Sequence, residues 1–373
     1  MALVFTEEQK LLQKTVREFA ENEIAPRMGE IVNCHDYVPR DLYKRCADLG
    51  FWRCLVPKEY GGLGQGITEA CIIHEELSKV APVFGLIAMC VMTTPPMLIN
   101  SKAATDKYLE KVMNGELIAN GGVTAPEGHT NVNEWTPIAK KDGDYYILNG
   151  THLYNTNNIV FDVHMVFGFD EERQMMVFVV EDGMPGLDHS SCENKFGMKG
   201  SGGGTVTYKN LRVHKDMSFP AGVGNTMFYY NLYAICASIA LGAAEGFLAK
   251  GIEWAKTRTN NFKPLTDKAF IRAKLARMNT LLTISRTAIY DAAALYEDPD
   301  TVDEACIKSQ MCKAFVPDAA MEVCEDCMKL FAGLAYHDAN YFHYIADTLA
   351  TGIMDLPTDY HYEGIATLMG LNG

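Results

Sequence analysis

Hydrophobic residues recur at intervals of three or four positions through the first third of the chain, a spacing typical of amphipathic helices. Thr6 and Gln9 stand in the pattern of a capping box, and Leu12, Val16 and Phe19 follow on one predicted helical face. Further helices are predicted at residues 41–49, 67–80 and 105–113. The chain is therefore expected to begin with a helical region.

Near residue 120 the pattern changes to short runs of β-branched and aromatic residues separated by turn signals. Asp142-Gly143 and Asn149-Gly150 bracket a run at residues 145–148, which is typical of hairpins. Further strands are predicted at residues 163–169, 175–180 and 205–213. These runs predict a small antiparallel sheet domain that ends near residue 215.

The helical spacing then returns and continues to the end of the chain. It consists of an apolar run at residues 234–244, a one-face series of Leu275, Met278, Leu282 and Ile289, and a run at residues 303–330. A helix bundle is the economical packing for such a region. The predicted fold class is α+β and mostly helical, with an N-terminal helical domain (1–118), a middle antiparallel β domain (119–215) and a C-terminal helical bundle (216–373).

Composition narrows the possible partners. The 373 residues carry a net charge of −14, so no basic excess exists to meet a nucleic acid backbone or an anionic membrane. Residues 1–8 lack the basic region and long apolar core of a targeting peptide, which predicts a cytoplasmic, bacterial protein without membrane insertion. The 11 cysteines are predicted to be reduced core residues, since only Cys324 and Cys327 have metal-like spacing and no second pair lies near. No metal site is predicted.

The N-terminal third also carries three motifs, at residues 19–26 (FAENEIAP), 49–51 (LGF) and 56–62 (VPKEYGG). In this order they resemble the first helical domain of the acyl-CoA dehydrogenase family, and the resemblance continues over nearly the whole chain. It implies a C-terminal four-helix bundle, with FAD bound between the β domain, the bundle and a neighbouring subunit. A homotetramer or homodimer is therefore expected.

The resemblance implies flavin contacts in the β domain. The segment 124–131 (TAPEGHTN) stands where the family's flavin-binding stretch lies, so the hydroxyls of Thr124 and Thr130 are implied to bond the flavin ring or the thioester. In the segment 149–157 (NGTHLYNTN), Tyr154 stands in place of a usual tryptophan and Thr156 is implied to lie near flavin N5, the atom that receives hydride. The full cofactor-binding set so implied is Val123, Thr124, Thr130, Tyr154, Thr156, Arg258, Phe262, Leu330, Phe331, Gly333 and Thr367.

Two parts of this set belong to the C-terminal region. Arg258 and Phe262 resemble the arginine and phenylalanine that reach FAD across a subunit interface, with Arg258 as a donor to the pyrophosphate. The run 330–333 (LFAG) resembles the family's phenylalanine-glycine-glycine turn, in which Ala332 replaces one glycine.

Chemistry at the α-carbon of an acyl thioester needs a carboxylate base in a water-poor pocket. The segment 361–364 (HYEG) resembles the family's catalytic segment, which implies Glu363 as the base. In a minority of the family the base lies instead on the first long helix of the bundle, and the resemblance places that position near Leu232. No acid lies between residues 225 and 241. The implied substrate-binding residues are Thr130, Tyr233, Tyr362 and Gly364.

Two departures from the family pattern concern the substrate. The run 228–233 is aromatic and uncharged where relatives carry an acid and an arginine, and the segment between Phe331 and Glu363 is several residues longer than usual. We expect altered CoA recognition and an acyl pocket suited to a bulky, branched or aromatic chain.

The implied function is FAD-dependent α,β-dehydrogenation of an acyl-CoA, with electrons passed to an electron transfer flavoprotein, or the reverse reduction of an enoyl-CoA. Flavin chemistry without net oxidation is a related alternative. From a different class, the chain is alternatively a catalytically degenerate relative that acts as a structural or heteromeric partner subunit. The altered flavin motifs favour this last alternative, and the retained Glu363 favours the enzyme.

Overall fold

The computed structural model describes residues 4–33, 39–128, 132–221 and 223–371, without the side chains of residues 223–231 and 368. The N-terminal helices are α1 (Glu7–Phe19), α2 (Met28–Asn33), α3 (Arg40–Asp48), α4 (Ile67–Val80), α5 (Pro82–Met92), α6 (Pro95–Leu98), α7 (Lys102–Ala104) and α8 (Glu110–Met113). The predicted capping box of α1 is confirmed, since the Gln9 N–H donates to Thr6 Oγ1 at 3.1 Å and the Thr6 N–H donates to Gln9 Oε1 at 3.0 Å.

Helices α4 and α5 form the centre of this region because nearly all of their side chains are buried. Pro82 occupies the first position of α5, where its missing N–H costs no helical hydrogen bond. Helix α5 packs against the first strand of the β domain and against the first bundle helix. It therefore lies at the junction of the three regions.

The strands of the middle region are β1 (Ala119–Gly122), β2 (Ala139–Asp142), β3 (Tyr145–Asn155), β4 (Val163–Phe169), β5 (Met175–Glu181), β6 (Leu187–Asp188), β7 (Gly204–His214) and β8 (Ser218–Pro220). They form two four-stranded sheets, in the orders β1-β4-β5-β8 and β2-β3-β7-β6. Buried side chains from both sheets, among them Leu148, Phe178 and Val206, form one core.

The pairing differs from the prediction in one place. Strands β1 and β4 are parallel, with Ala119 opposite Val163, whereas the other described pairs of the two sheets are antiparallel. A parallel pair needs a long connection, and here that connection includes β2 and β3 of the other sheet. Strand β8 ends at Pro220, beyond the predicted boundary at residue 215. The domain boundaries stay predictions.

The C-terminal helices are α9 (Val223–Thr257), α10 (Ala269–Ala294), α11 (Val302–Phe331), α12 (Gly333–His337), α13 (Ala339–Thr351) and α14 (Thr358–Leu368), with the short hairpin β9 (Thr259–Asn260) and β10 (Lys263–Pro264) after α9. Helix α9 packs against α10, α11 and α13, which gives the expected bundle. Its segment Leu232–Thr257 is long and apolar enough to cross a membrane, but 89% of the most apolar window is buried inside the protein. Such burial is typical of a core helix. The predicted order of helices, sheets and helices is confirmed.

Candidate functional site

A large cavity opens where the N-terminal helices, the β domain and the C-terminal helices meet. Its volume is about 790 Å³, which lies in the range of small-molecule and cofactor sites. Helices α5 and α13, strands β1, β3 and β4, and the turn after α13 all contribute to the wall. Much of the lining is apolar, as at Leu86, Met89, Met165, Phe167, Leu232 and Leu349. The cavity is therefore suited to an apolar ligand.

The β-domain wall brings together four of the residues that the resemblance assigned to flavin. Val123, Thr124, Tyr154 and Thr156 all line the cavity. The Leu153 N–H donates to the Thr124 carbonyl oxygen at 2.8 Å, which fixes the segment after β1 against β3. Two stretches that are separate in sequence therefore form one surface.

An irregularity in β3 shapes this surface. The register of β3 against β7 shifts between His152 and Asn155, and Tyr154 inside this bulge has a φ of 60°. Bulges are common beside functional sites because they redirect one side chain. The Tyr154 side chain is 71% exposed while lining the cavity, so the ring stands at its solvent side.

The donor set of this wall fits a flavin ring. The ring is flat, largely apolar and edged with hydrogen-bond acceptors, so it needs an apolar slot with a small number of donors. Thr124 and Thr156 supply hydroxyl groups on the β side, whereas the hydroxyl groups of Thr93 and Thr94 on the helical side already donate to the carbonyl oxygens of Met89 and Cys90. The residues present therefore fit the cofactor that the resemblance implies.

The two cysteines with metal-like spacing lie elsewhere. Cys324 and Cys327 are free and buried inside α11, so the prediction that they are core residues is confirmed. Burial raises the pKa of the Cys324 thiol to about 12. Among the residues that the structure describes, no group of three or more His, Cys, Asp or Glu side chains is placed to hold a metal ion.

A single chain does not bring the predicted C-terminal flavin residues to the cavity. Phe331 is 4% exposed and belongs to the bundle core, and Leu330 is partly buried near Gly251. Arg258 and Phe262 are exposed after the end of α9, and the Phe262 side chain is 102% exposed. Gly333 is also exposed. Their roles stay predictions, and for Arg258 and Phe262 they require a second subunit.

The structure does not bring Glu363 to the cavity either. It lies on α14 with its side chain exposed, next to Tyr362, which is 46% exposed. The buried position of this helix is His361, and two residues of helix turn the side-chain direction by roughly 200°. Gly364 faces Gln310, and Thr367 is exposed. The segment 361–364 therefore lies on a helix that buries His361 and leaves Glu363 exposed.

Two further predicted contacts remain. Thr130 lies outside the described residues. Tyr233 is 7% exposed and packs edge to face on His361, with ring centroids 4.6 Å apart. It is not among the described residues that line the cavity.

Two acids that were not predicted do line the cavity. Glu193 belongs to the β-domain side and accepts a hydrogen bond from Thr205 Oγ1 at 2.9 Å. Asp355 belongs to the turn between α13 and α14. The unusual length of the segment between Phe331 and Glu363 was the available signal, because the family spacing counted from Phe331 ends before Glu363 is reached.

Buried groups from three elements support the Asp355 turn. The Cys236 thiol of α9 donates to Asp355 Oδ2 at 2.8 Å, and Lys313 Nζ of α11 donates to the Leu356 carbonyl oxygen at 3.1 Å. His361 Nε2 lies 3.1 Å from the Asp355 carbonyl oxygen, so this nitrogen carries the proton and donates it. Burial, followed by the nearby Lys313 charge, lowers the pKa of His361 to about 4. The imidazole is therefore neutral near pH 7.

A lysine on the opposite wall is half-buried. Lys195 lines the cavity and donates a hydrogen bond to Ser201 Oγ. Burial lowers its pKa below the ordinary lysine value, although the nearby Cys192 and Glu193 oppose that change. This cation lies on the same wall as Glu193.

Comparisons with known proteins agree with this geometry. Residues 6–116 match the family "Acyl-CoA dehydrogenase, N-terminal domain", and residues 231–368 match "Acyl-CoA dehydrogenase, C-terminal domain". A cyclohex-1-ene-1-carbonyl-CoA dehydrogenase of Syntrophus aciditrophicus is 32% identical over 346 residues, which cover 89% of this chain and 82% of that relative. A 3-(aryl)acrylate reductase of Clostridium sporogenes is 28% identical over 347 residues, which cover 90% of each chain. The solved butyryl-CoA dehydrogenase of Megasphaera elsdenii shares the fold, with a TM-score of 0.90 at 24% identity over 99% of this chain and 100% of that one.

Proposed function

Because this chain belongs to the acyl-CoA dehydrogenase family, we propose that its cavity holds the flavin ring of FAD beside the acyl chain of a CoA thioester. The protein is a flavin-dependent oxidoreductase that acts on CH–CH bonds and interconverts saturated and α,β-unsaturated acyl-CoA thioesters. One observation carries the assignment to this cavity: Val123, Thr124, Tyr154 and Thr156 meet on one wall.

The chain's own residues would prepare the reaction in three ways. FAD, when bound, supplies the acceptor or donor for the hydride at the β-carbon. The hydroxyl groups of Thr124 and Thr156 would orient the ring, and Tyr154 would cover it at the solvent side. The apolar wall formed by Met89 and Leu349 would exclude water, which strengthens every electrostatic interaction at the reacting carbon atoms.

The cavity favours a bulky acyl group. Its lining includes Met165 and Phe167 from β4 and Ile353 and Met354 from the turn after α13, all of which are apolar. The names of the two relatives, a cyclohexene-carbonyl-CoA dehydrogenase and an arylacrylate reductase, contain a ring in the acyl part. We therefore propose a cyclic or aromatic acyl-CoA or enoyl-CoA as the substrate.

Three further expectations follow from family membership. Electron transfer flavoprotein is the proposed electron partner. A homotetramer or homodimer is the proposed assembly, since the exposed Arg258 and Phe262 would then contact a cofactor of the neighbouring subunit. The cytoplasm of a bacterium is the proposed location, because the two relatives are bacterial.

The test is the visible spectrum of the purified protein, reconstituted with FAD if it is isolated without cofactor. Under anaerobic conditions, a saturated cyclic or aryl acyl-CoA is expected to bleach the oxidised flavin band. Aryl enoyl-CoA is expected to restore the band of the reduced protein. Straight short-chain and dicarboxylic thioesters serve as comparison substrates. A colourless protein that does not bind FAD would refute the proposal and support the partner-subunit alternative.

A further inference from the structure

The acids around the cavity are distributed unevenly between its two walls. Glu193 lies on the β-domain wall, the same wall as the predicted flavin contacts, and Asp355 lies on the wall formed by the C-terminal helices. An acyl chain placed between the walls has the flavin on its β-domain side. A group that exchanges a proton with the α-carbon needs direct access from the other side, which Asp355 has by position.

We propose that Asp355, and not Glu363, is the carboxyl group that transfers the α-proton of the substrate. This inference rests on the proposed function of the cavity. Asp355 lines the cavity and is partly buried, whereas Glu363 lies on an exposed face of α14 outside the described lining.

The backbone of the turn supports a functional role. Asp355 has a φ of 50° and Leu356 a φ of 77°, so two consecutive residues other than glycine adopt left-handed conformations. Such conformations cost of order 1 kcal/mol or more for a leucine and persist where the surroundings impose them, often at active sites. Here the bonds from Lys313 and His361 to the two carbonyl oxygens impose them.

The surroundings also hold the side chain. Cys236 is fully buried, and its thiol bond to Oδ2 fixes the orientation of the Asp355 carboxyl group. Among the described residues, Oδ1 has no hydrogen-bond partner, so one oxygen remains available to a substrate. Lys313 and His361 are likewise fully buried, which keeps water away from the back of the turn.

The proposed step balances in both directions. In dehydrogenation, the Asp355 carboxylate takes the proton from the α-carbon, the electron pair of that C–H bond forms the new Cα–Cβ double bond, and the β-hydrogen leaves with its electron pair as hydride to oxidised FAD. In reduction, the β-carbon receives hydride from reduced FAD, and the Asp355 carboxylic acid returns a proton to the α-carbon.

The experiment compares carboxyl-to-amide variants of three acids from this part of the chain in the FAD-loaded protein. Asp355→Asn is expected to keep the flavin spectrum and to lower the rate of bleaching by about 10²- to 10⁴-fold, the usual contribution of a general acid or base. Asp355→Glu, which restores a carboxyl group, is expected to recover part of the rate. Asp359→Asn is the matched control, since Asp359 is exposed on the first turn of α14, and its rate should stay unchanged. Rapid bleaching by Asp355→Asn together with loss of bleaching in Glu363→Gln would overturn the proposal.

A second readout does not depend on turnover. An apolar carbodiimide labels carboxyl groups in apolar surroundings, and peptide mass spectrometry then locates the label. Asp355 is expected to be labelled and to be protected when an acyl-CoA is bound, whereas labelling of Asp359 should not respond to the thioester. Protection of Glu363 without protection of Asp355 would contradict the assignment.

The two proposals fail in different ways. If the unaltered protein neither binds FAD nor bleaches with any thioester, the proposed function is wrong. If it bleaches and Asp355→Asn bleaches at the same rate, only the assignment of the proton-transferring residue is wrong.

Discussion

Replacement of Arg286 by methionine should unbalance a buried ionic cluster that joins α4 to the bundle. Arg286 of α10 pairs with Glu75 and also with Glu245 Oε2 of α9 at 2.5 Å. Lys79 Nζ lies 3.1 Å from Glu75 Oε1 and 3.3 Å from Glu245 Oε2. The Tyr290 hydroxyl donates to Glu75 Oε2 at 2.9 Å. With Arg17 of α1, which pairs with Glu76, the cluster links four helices of two regions.

The charges of the described cluster balance. Arg17, Lys79 and Arg286 face Glu75, Glu76 and Glu245, and the side chains of Glu75 and Glu76 are 0% exposed. Removal of Arg286 leaves one buried carboxylate without a compensating cation, and such a loss costs about 3–5 kcal/mol of the free energy of unfolding. Arg286→Lys keeps the charge but lacks the planar guanidinium group that pairs with both Glu75 and Glu245, so a smaller loss of the free energy of unfolding is expected.

The loss should also depend on pH. Burial, followed by the Glu75 charge, raises the pKa of Glu245 from 4.5 to about 7. A folded-state pKa above the unfolded value means that the folded state binds the extra proton, so stability falls as the pH rises through about 7. Without Arg286 this dependence should be steeper, because one less cation stabilises the carboxylate.

Urea unfolding at about pH 6 and pH 8 measures both effects. Arg272→Met is the control, since Arg272 is an exposed arginine of the same helix that bonds the Thr266 carbonyl oxygen, and a change below about 1 kcal/mol is expected there. A loss for Arg286→Met below about 1 kcal/mol, or one that is equal at both pH values, would refute the reasoning.

Three further predictions concern the backbone, a buried histidine and the proposed flavin contact Thr156. Ala332 has φ 52° and ψ −130°, a backbone conformation that suits glycine. Ala332→Gly should therefore raise the free energy of unfolding, measured by urea denaturation, by about 1 kcal/mol. A decrease would show that the backbone at Ala332 is not strained. Burial lowers the pKa of His74 from 6.5 to about 4, so the free energy of unfolding should decrease as the pH falls below about 6.5. At pH 5.5, His74→Leu should remove roughly 1.4 kcal/mol of that decrease. An unchanged pH dependence in the variant would argue against this. Thr156→Val should weaken FAD binding about 5- to 10-fold by fluorescence titration, whereas Thr207→Val, an exposed change on β7, should not.

The sequence predicted the features that depend on local pattern. The order of helices, sheets and helices follows from hydrophobic spacing, and the capping box at Thr6 and Gln9 follows from two residues three positions apart. Thr124, Tyr154 and Thr156, which line the β-domain wall of the cavity, were identified because they occur in continuous motifs, and their flavin contacts stay predictions. The parallel pairing of β1 with β4 was missed because it joins strands that are distant in sequence.

The acid at the cavity was missed for a related reason. A motif match at Glu363 identifies residue types and not the face of the helix that carries them, and the buried face of α14 belongs to His361. The position of Asp355 depends on Cys236 of α9 and Lys313 of α11, both far away in the sequence. The packing of these helices around the turn places Asp355 at the cavity.

A crystal structure of the protein with FAD and a non-reacting thioether analogue of an aryl acyl-CoA would test the central claim most directly. We expect the flavin ring against Thr124 and Thr156 and the α-carbon within about 3–3.5 Å of an Asp355 carboxyl oxygen. A ligand bound outside this cavity, or an α-carbon that lies nearer to Glu363, would contradict the account.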